Sequence, residues 1–379
     1  MDFAYDFEQQ QLAAALRRWL DKEYSFARRK AIIDSSLGVS DQAWSALVEL
    51  GLTALPVPAA HGGFGGSAVD MLVVMQELGR SLVVEPYFAT VLGAEFLKIG
   101  GAHPALLEQV ALGSLKLACA LGEKQARHDM RQIQTSICPT ADGYLLNGEK
   151  TAVLHGGQAH ALIVSARSTE ADAGMALLVV PFDAEGVAIR DYRTQDGQRA
   201  ATIRFTDVAL AAGSLIGRPG SATAGREMLD CVLDYGAALL CFEAIGALEA
   251  MFAATLEHLQ SRTQFGVPIG KFQVLQHRMA DMYIHLEQAR SMALLAAVKL
   301  DAGNMDERRW CVSAAKVRIG QAIKFIGQQA VQLHGAMGLS NAVPLAHYFK
   351  RLTMLELTLG NTDHHLRRFM AQPRFQQRT

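Results

Sequence analysis

The sequence predicts a mainly helical protein with a small β domain at its centre. Three observations carry this. From about Asp6 to Leu112 apolar residues recur at three- and four-residue spacing, the period of a helix with one buried face. From about Lys116 to Val208 short apolar runs alternate with turn residues, which is the pattern of strands. From Ser221 onward the helical period returns in much longer stretches. Expected domain limits are therefore 1–115, 116–220 and 221–379.

In the first domain, Phe7–Trp19 and Val69–Leu82 read as amphipathic helices. The segment between them, Leu55-Pro56-Val57-Pro58 through His61-Gly62-Gly63-Phe64-Gly65-Gly66, is too rich in glycine and proline to continue a helix. In the second domain the strand candidates are Leu117–Leu121, Tyr144–Leu146, Ala161–Ser165, Met175–Val180, Val187–Ile189 and Thr202–Phe205. Asn147-Gly148 is a two-residue hairpin signal. In the third, the apolar series from Leu229 to Leu259 predicts one long buried helix. Further helices are expected over Leu275–Ala302, Glu307–Leu333 and Leu345–Met370, the last broken near Leu359-Gly360. Long, nearly apolar helices in a charge-balanced chain point to burial against another subunit.

The chain carries 36 lysines plus arginines against 37 aspartates plus glutamates. A nucleic-acid binder usually shows a clear basic excess, so none is expected here. Five scattered cysteines without a Cys-x-x-Cys pair argue against a disulfide framework or a zinc site, and no metal is expected. No basic region followed by an apolar stretch opens the chain, and no apolar run reaches the length of a membrane span. The expectation is a cytoplasmic protein without membrane insertion.

Arg262-Thr263-Gln264-Phe265-Gly266-Val267-Pro268-Ile269, with Phe272-Gln273 and Met279-Ala280-Asp281-Met282 after it, resembles the signature of the acyl-CoA dehydrogenase family. Gln332-Leu333-His334-Gly335-Ala336-Met337-Gly338 resembles that family's second C-terminal motif. Domain order agrees from end to end. Within the family the chain is most similar to the small subunits of pimeloyl-CoA dehydrogenases, through Gly63-Phe64-Gly65-Gly66, Gln264 to Gly270, His347 to Thr353 and Asp363-His364-His365.

The resemblance implies an N-terminal helical domain, a β-barrel-like middle domain and a C-terminal four-helix bundle. It implies FAD as cofactor, an acyl-CoA substrate, an electron-accepting protein, and a dimer, a tetramer or a hetero-oligomer with a larger subunit. Arg262, Gln264, Phe265 and Gln273 would reach the FAD of a partner subunit. A guanidinium suits pyrophosphate because its forked donors bind phosphate oxygens in pairs. Gln332 and Ala336, within the Gly335–Gly338 turn, would approach the same pyrophosphate, since glycines let backbone come close to an anion. Taken singly, Arg262 reads as an exposed charge at a helix end, and Gln332 is equally a surface glutamine.

The middle domain departs from the family. Its Thr-Glu-Pro-Gly-Ala-Gly-Ser-Asp-like loop reads Gly122-Glu123-Lys124-Gln125-Ala126-Arg127-His128-Asp129. Gly122 replaces the threonine that contacts the flavin, and Arg127 and His128 fall where the loop faces substrate. The Trp-Ile-Thr that covers the flavin reads Ala152-Val153-Leu154, which removes a flat aromatic surface. Asp234, Leu359 and Thr362 complete the ligand-facing positions, the first two towards substrate and the third towards FAD.

The catalytic base departs further. Abstraction of an α-proton needs a positioned general base, a glutamate in this family. Counting from Arg351 its usual position is Gly360, and counting back from Arg262 the alternative is Gly236. Both are glycine, so the expected role is a subunit that completes a partner's FAD site. Glu356 and Asp363 would share a helical face with Gly360. Glu243, in an apolar stretch, is either a displaced base with a raised pKa or the partner of an arginine or hydroxyl across the bundle. A displaced base would make the chain a complete homo-oligomeric dehydrogenase. A non-enzymatic acyl-CoA- or protein-binding scaffold is the third possibility, and a flavin oxidase a weaker fourth. Adjacent helical residues point to different faces, so His364-His365 is not read as a metal pair.

Overall fold

The computed structural model describes residues 5–169, 174–217 and 222–372. Helices α1 (Phe7–Glu23), α2 (Phe26–Asp34), α3 (Asp41–Glu49), α4 (Ala68–Arg80), α5 (Tyr87–Gly100) and α6 (Pro104–Ala111) come first. Strands β1 (Leu117–Ala120), β2 (Ser136–Pro139), β3 (Gly143–Leu154), β4 (Ala161–Ser168), β5 (Met175–Pro181), β6 (Val187–Arg193) and β7 (Arg199–Ala211) follow. The 40-residue helix α7 (Ala222–Ser261) leads into the short strands β8 (Thr263–Gln264) and β9 (Val267–Pro268). Helices α8 (Gln273–Leu300), α9 (Met305–His334), α10 (Pro344–Leu357) and α11 (Thr362–Met370) end the described chain.

Two compact units are present. One contains residues 30–67 and 84–236. Its sheet runs β1-β4-β2-β3-β7-β6, with β5 paired to β4. Side chains alternate across each strand, so Leu146, Leu162, Val164, Leu178, Val180, Ile203 and Phe205 meet in one buried cluster. Helix α5 lies against β1. The backbone N–H of Leu117 donates to Thr90 Oγ1 (3.2 Å), and Gly93 has no room for a side chain beside Leu117.

Asn147-Gly148 does not make a hairpin. Both residues lie inside β3, where its pairing with β7 shifts register between Leu146 and Gly148. Asn147 Nδ2 donates to Asp207 Oδ1, and the Asp207 N–H donates back to Asn147 Oδ1, each at 2.9 Å. This reciprocal bridge holds a bulge, a second use of the backbone freedom that a tight turn needs. Thr135 packs too close to Gly148 for any Cβ. Strand β2 has no counterpart among the sequence candidates, because of its four residues only Ile137 is buried.

The other unit contains residues 1–29, 68–83 and 237–379. An Asp6–Gln9 capping box starts α1. Helices α4 and α7 touch backbone to backbone. A Cβ on Gly79 would lie 2.0 Å from the Glu243 carbonyl oxygen, and one on Gly246 would lie 1.8 Å from that of Gln76. Asn304 caps α9 through the N–H groups of Asp306 and Glu307. Helices α8, α10 and α11 pack on α9, with His285 stacked on Phe325, Phe349 beside Gly327 and Trp310 stacked on Phe369. Ala224–Ser261 is long and apolar enough to cross a membrane, and 72% of its most apolar window is buried, as in a core helix.

Candidate functional site

The two C-terminal motifs converge at one end of the bundle. Helix α7 stops where the Arg262 N–H donates to the His258 carbonyl (2.9 Å). The chain then reverses through the β8–β9 hairpin. Phe265 and Gly266 both take positive φ there, 53° and 78°, and the Ile269 N–H returns to the Arg262 carbonyl (2.8 Å). Arg262 and Gln264 are exposed. Phe265 is 90% exposed and meets Phe272 edge-on at 6.1 Å. Exposed Gln273 opens α8.

At the end of α9, Gln332 is exposed, and Gly335 (φ 61°) turns the chain into the 3-10 turn Gly335–Leu339, which carries exposed Ala336. A Cβ added at Gly335 would meet nothing within 4 Å, so its backbone is open. The imidazoles of His258 and His334 stack at 4.3 Å and 21°, joining the two motifs. His334 Nδ1–H donates to the Ala330 carbonyl (2.9 Å). His258 lies one helical turn before Arg262, a spacing that could have flagged it in the sequence.

The 357–365 segment is held tightly. Buried Lys316 donates to the carbonyls of Leu355 (2.8 Å), Glu356 (3.3 Å) and Thr358 (2.9 Å), satisfying the end of α10. Leu359 (φ 54°) and Gly360 (φ 105°) then bend the chain. Glu356 and Gly360 therefore do not share a helical face, because α10 ends between them. Glu356 Oε1 accepts from the N–H (2.9 Å) and hydroxyl (2.7 Å) of Thr362. Burial works to raise its pKa, but those hydrogen bonds, Lys324 and Lys316 outweigh it and hold the carboxyl below its ordinary range. Asp363 is exposed. His365 Nε2–H donates to the Leu359 carbonyl (3.0 Å), and its Nδ1 lies 3.4 Å from Ser313 Oγ.

Gly360 has no space for a side chain. A Cβ there would lie 2.6 Å from His364 Cδ2 and 2.8 Å from His365 Nε2. Glu243 is buried and bound in bidentate fashion, accepting from Arg351 Nε (2.6 Å) and Nη2 (2.8 Å). Of its two expected roles, the structure displays the pairing across the bundle.

In the sheet-containing unit, Gly122 is tied to β3 by the Thr151 N–H (2.8 Å). Glu123 is buried and anchors the loop after it. Lys150 Nζ donates to Glu123 Oε1 (2.9 Å), Ser165 Oγ (3.0 Å) and the Leu121 carbonyl (3.2 Å), while the N–H groups of Gln134 and Thr135 also donate to Glu123. Burial opposes the charged form. Lys150, Gln125 and the Gln134 N–H overcome that and take the Glu123 carboxyl down to about 2. Lys150 stands just before Ala152-Val153-Leu154, and its pairing partner lies too far along the chain for spacing to reveal. On the anchored loop Arg127 is exposed at φ 49°, and His128 is half-buried. Val153 is buried in the sheet's core and Leu154 half-buried, so Val153 can offer a ligand only its backbone. Asp234 and Gly236 are buried on α7.

Residues 6–101, 118–208 and 224–372 match, in turn, the N-terminal, middle and C-terminal domains of acyl-CoA dehydrogenases. The chain belongs to the acyl-CoA dehydrogenase family. Members are oxidoreductases acting on the CH–CH bond of acyl-CoA thioesters, and FAD is the cofactor that membership indicates. The protein named probable acyl-CoA dehydrogenase YngJ, of Bacillus subtilis, is 28% identical over 96% of this chain and 97% of its own. The 3-sulfinopropanoyl-CoA desulfinase of Paraburkholderia xenovorans is 30% identical over 84% of each. Among solved structures, a variant of the Tcur3481-Tcur3483 steroid ACAD superposes with a TM-score of 0.87 at 26% identity, over 98% of this chain and 99% of that one.

Proposed function

We propose that this chain is an FAD-binding subunit of a heteromeric acyl-CoA dehydrogenase, with the catalytic carboxylate supplied by a larger partner subunit. The observation that carries this is Gly360. At the family's base position the chain has no side chain, a backbone angle that favours glycine, and two imidazoles in the space a side chain would need. The alternative position, Gly236, is also glycine. Glu243 and Glu356 are engaged by Arg351 and Thr362. A two-component relative, the Tcur3481-Tcur3483 steroid ACAD, supports the heteromeric form.

The exposed groups fit FAD. Arg262 supplies forked donors for a pyrophosphate, Gln264, Gln273 and Gln332 supply amides, and Phe265 presents a ring that the chain leaves largely uncovered. Open backbone at Gly335 and Ala336 admits close approach of an anion. Gly122, the backbone of Val153, Leu154 and Thr362 are the remaining FAD contacts of this reading. FAD, when bound, accepts the hydride that leaves the acyl β-carbon. The chain's own work is to bind and orient, while the α-proton goes to the partner's carboxylate.

We further assign an acyl-CoA with an anionic far end, such as a dicarboxylyl-CoA of the pimeloyl type. Arg127 is the exposed cation of the ligand-facing loop, with His128 beside it and Asp234 and Leu359 as further substrate contacts. A relative named for 3-sulfinopropanoyl-CoA, whose acyl group also ends in an acid, supports this class. The test is the visible spectrum of the purified chain with FAD, before and after anaerobic addition of acyl-CoAs including pimeloyl-CoA. A flavin band that bleaches only when the larger subunit is present is expected. Bleaching by this chain alone would refute the missing-base reading.

A further inference from the structure

We propose that the stacked imidazoles of His258 and His334 form, with Arg262, a pyrophosphate subsite that takes up a proton when its anion binds. This rests on the FAD reading above for the identity of the ligand, but not for the existence of the subsite.

The geometry brings together three nitrogen-bearing side chains from two helix ends. His258 lies in the last turn of α7 and His334 in the last turn of α9. Helix C-termini favour positive charge. The rings stack 4.3 Å apart, close enough that protonating both would set like charges face to face. His334 donates through Nδ1 to the Ala330 carbonyl, which leaves Nε2 as its lone-pair nitrogen.

The surroundings oppose a proton on His258 while no anion is present. His258 lies below its ordinary pKa through burial first, then through His334 from α9 and Arg262 from the end of its own helix. Among the described residues, the charges acting on it are His334 and Arg262, and neither is a carboxylate. The packed turn Gly335–Leu339 contains no titratable side chain, and Glu257, its neighbour in sequence, is exposed. Both rings are half-buried rather than sealed, so protons can reach them. An anion bound at Arg262 would offset the guanidinium's charge and attract an imidazolium. The imidazole pKa would then be higher in the bound state than in the free state. By linkage, the ligand binds more tightly once pH falls below the bound-state pKa, and the gain is lost as pH rises through it.

FAD and coenzyme A both carry a pyrophosphate, so the ligand must be identified by the probes. The experiment measures the affinity of the full-length protein for FAD, riboflavin, coenzyme A and inorganic pyrophosphate at about pH 8 and about pH 6, spanning imidazole titration. A bound-state pKa raised by one unit corresponds to about a tenfold change in affinity. Expected is a roughly tenfold tightening of FAD and pyrophosphate towards the lower pH, with riboflavin, which has no phosphate, unchanged. His258→Phe and His334→Phe keep an aromatic stack but cannot take the proton, so both should titrate flat over that range, whatever their affinity at its upper end. A flat wild-type profile, or variants that keep the wild-type slope, would overturn the proposal. Pyrophosphate binding with the expected slope but no FAD binding at any pH would keep the subsite and remove the FAD reading. The slope appearing with coenzyme A alone would reassign the subsite to the substrate.

Discussion

Replacing Gly360 by alanine isolates the feature on which the functional reading turns. At φ 105° an L-residue is strained, and such backbone conformations cost on the order of 1–3 kcal/mol. The new Cβ meets two rings that respond differently. His364, 2.6 Å away, is only half-buried and has room to shift towards solvent. His365 is buried, and its Nε2, 2.8 Å from the added carbon, donates to the Leu359 carbonyl. Moving it breaks a hydrogen bond worth about 0.5–1.5 kcal/mol. The sum is a loss of about 2–4 kcal/mol, read as a lower urea midpoint with unchanged slope. Unfolding within about 0.5 kcal/mol of wild type would refute the packing argument. Gly360→Glu should lose at least as much and should not let the chain alone bleach flavin with any acyl-CoA. Turnover by that variant would show that the space is available after all.

Arg351→Met leaves Glu243 as a buried charge without its guanidinium, and removing one member of such a pair costs about 3–5 kcal/mol. Adding Glu243→Leu to that variant should recover most of the loss in urea unfolding. Persistence of the full loss would show that Arg351 acts through other contacts. The pH dependence of stability has a definite sign at His365. Burial first, then Lys316 and Arg368, hold its pKa well below 6.5. The folded state therefore keeps a neutral ring while the unfolded chain takes up a proton. Its contribution is complete above pH 6.5 and falls away as pH drops below that value. His365→Asn should flatten that part of the stability–pH profile, and an unchanged acid limb would assign the loss to other groups.

What could be read from the sequence was what repeats locally. Apolar spacing located α8 and α9 to within two residues at each end and α7 to within seven, because each must bury a continuous face. The break near Leu359-Gly360 was also legible, since glycine there signals a backbone angle that α10 cannot continue. Asn147-Gly148 misled because the same pair serves a tight turn or a bulge, and only Asp207, on the neighbouring strand, decides between them. The proposed face shared by Glu356 and Gly360 failed for a related reason. A helical period says nothing about where Lys316, from another helix, gathers the last carbonyls and ends the turn. In the candidate site, the motif residues Arg262, Phe265 and Gln332 could be named in advance. The side-chain pairings around the candidate residues could not, because His258 meets His334, and Lys150 meets Glu123, only after folding.

That distinction bears on whether a displaced base is available inside the chain. Proximity in sequence offered Glu356, Asp363, Glu243 and Asp234. Glu356 accepts two hydrogen bonds from Thr362 and is held in its charged form by them. A carboxylate stabilised in this way is a weaker base, since those bonds favour the state that has already lost the proton. Glu243 would have to leave a bidentate guanidinium in a buried setting, and breaking such a pair costs about 3–5 kcal/mol. Asp363 is exposed in the first turn of α11, where solvent surrounds its carboxylate rather than a closed site. Three of these four are thus held back by separate physical features, which favours the proposal that a second chain supplies the carboxylate.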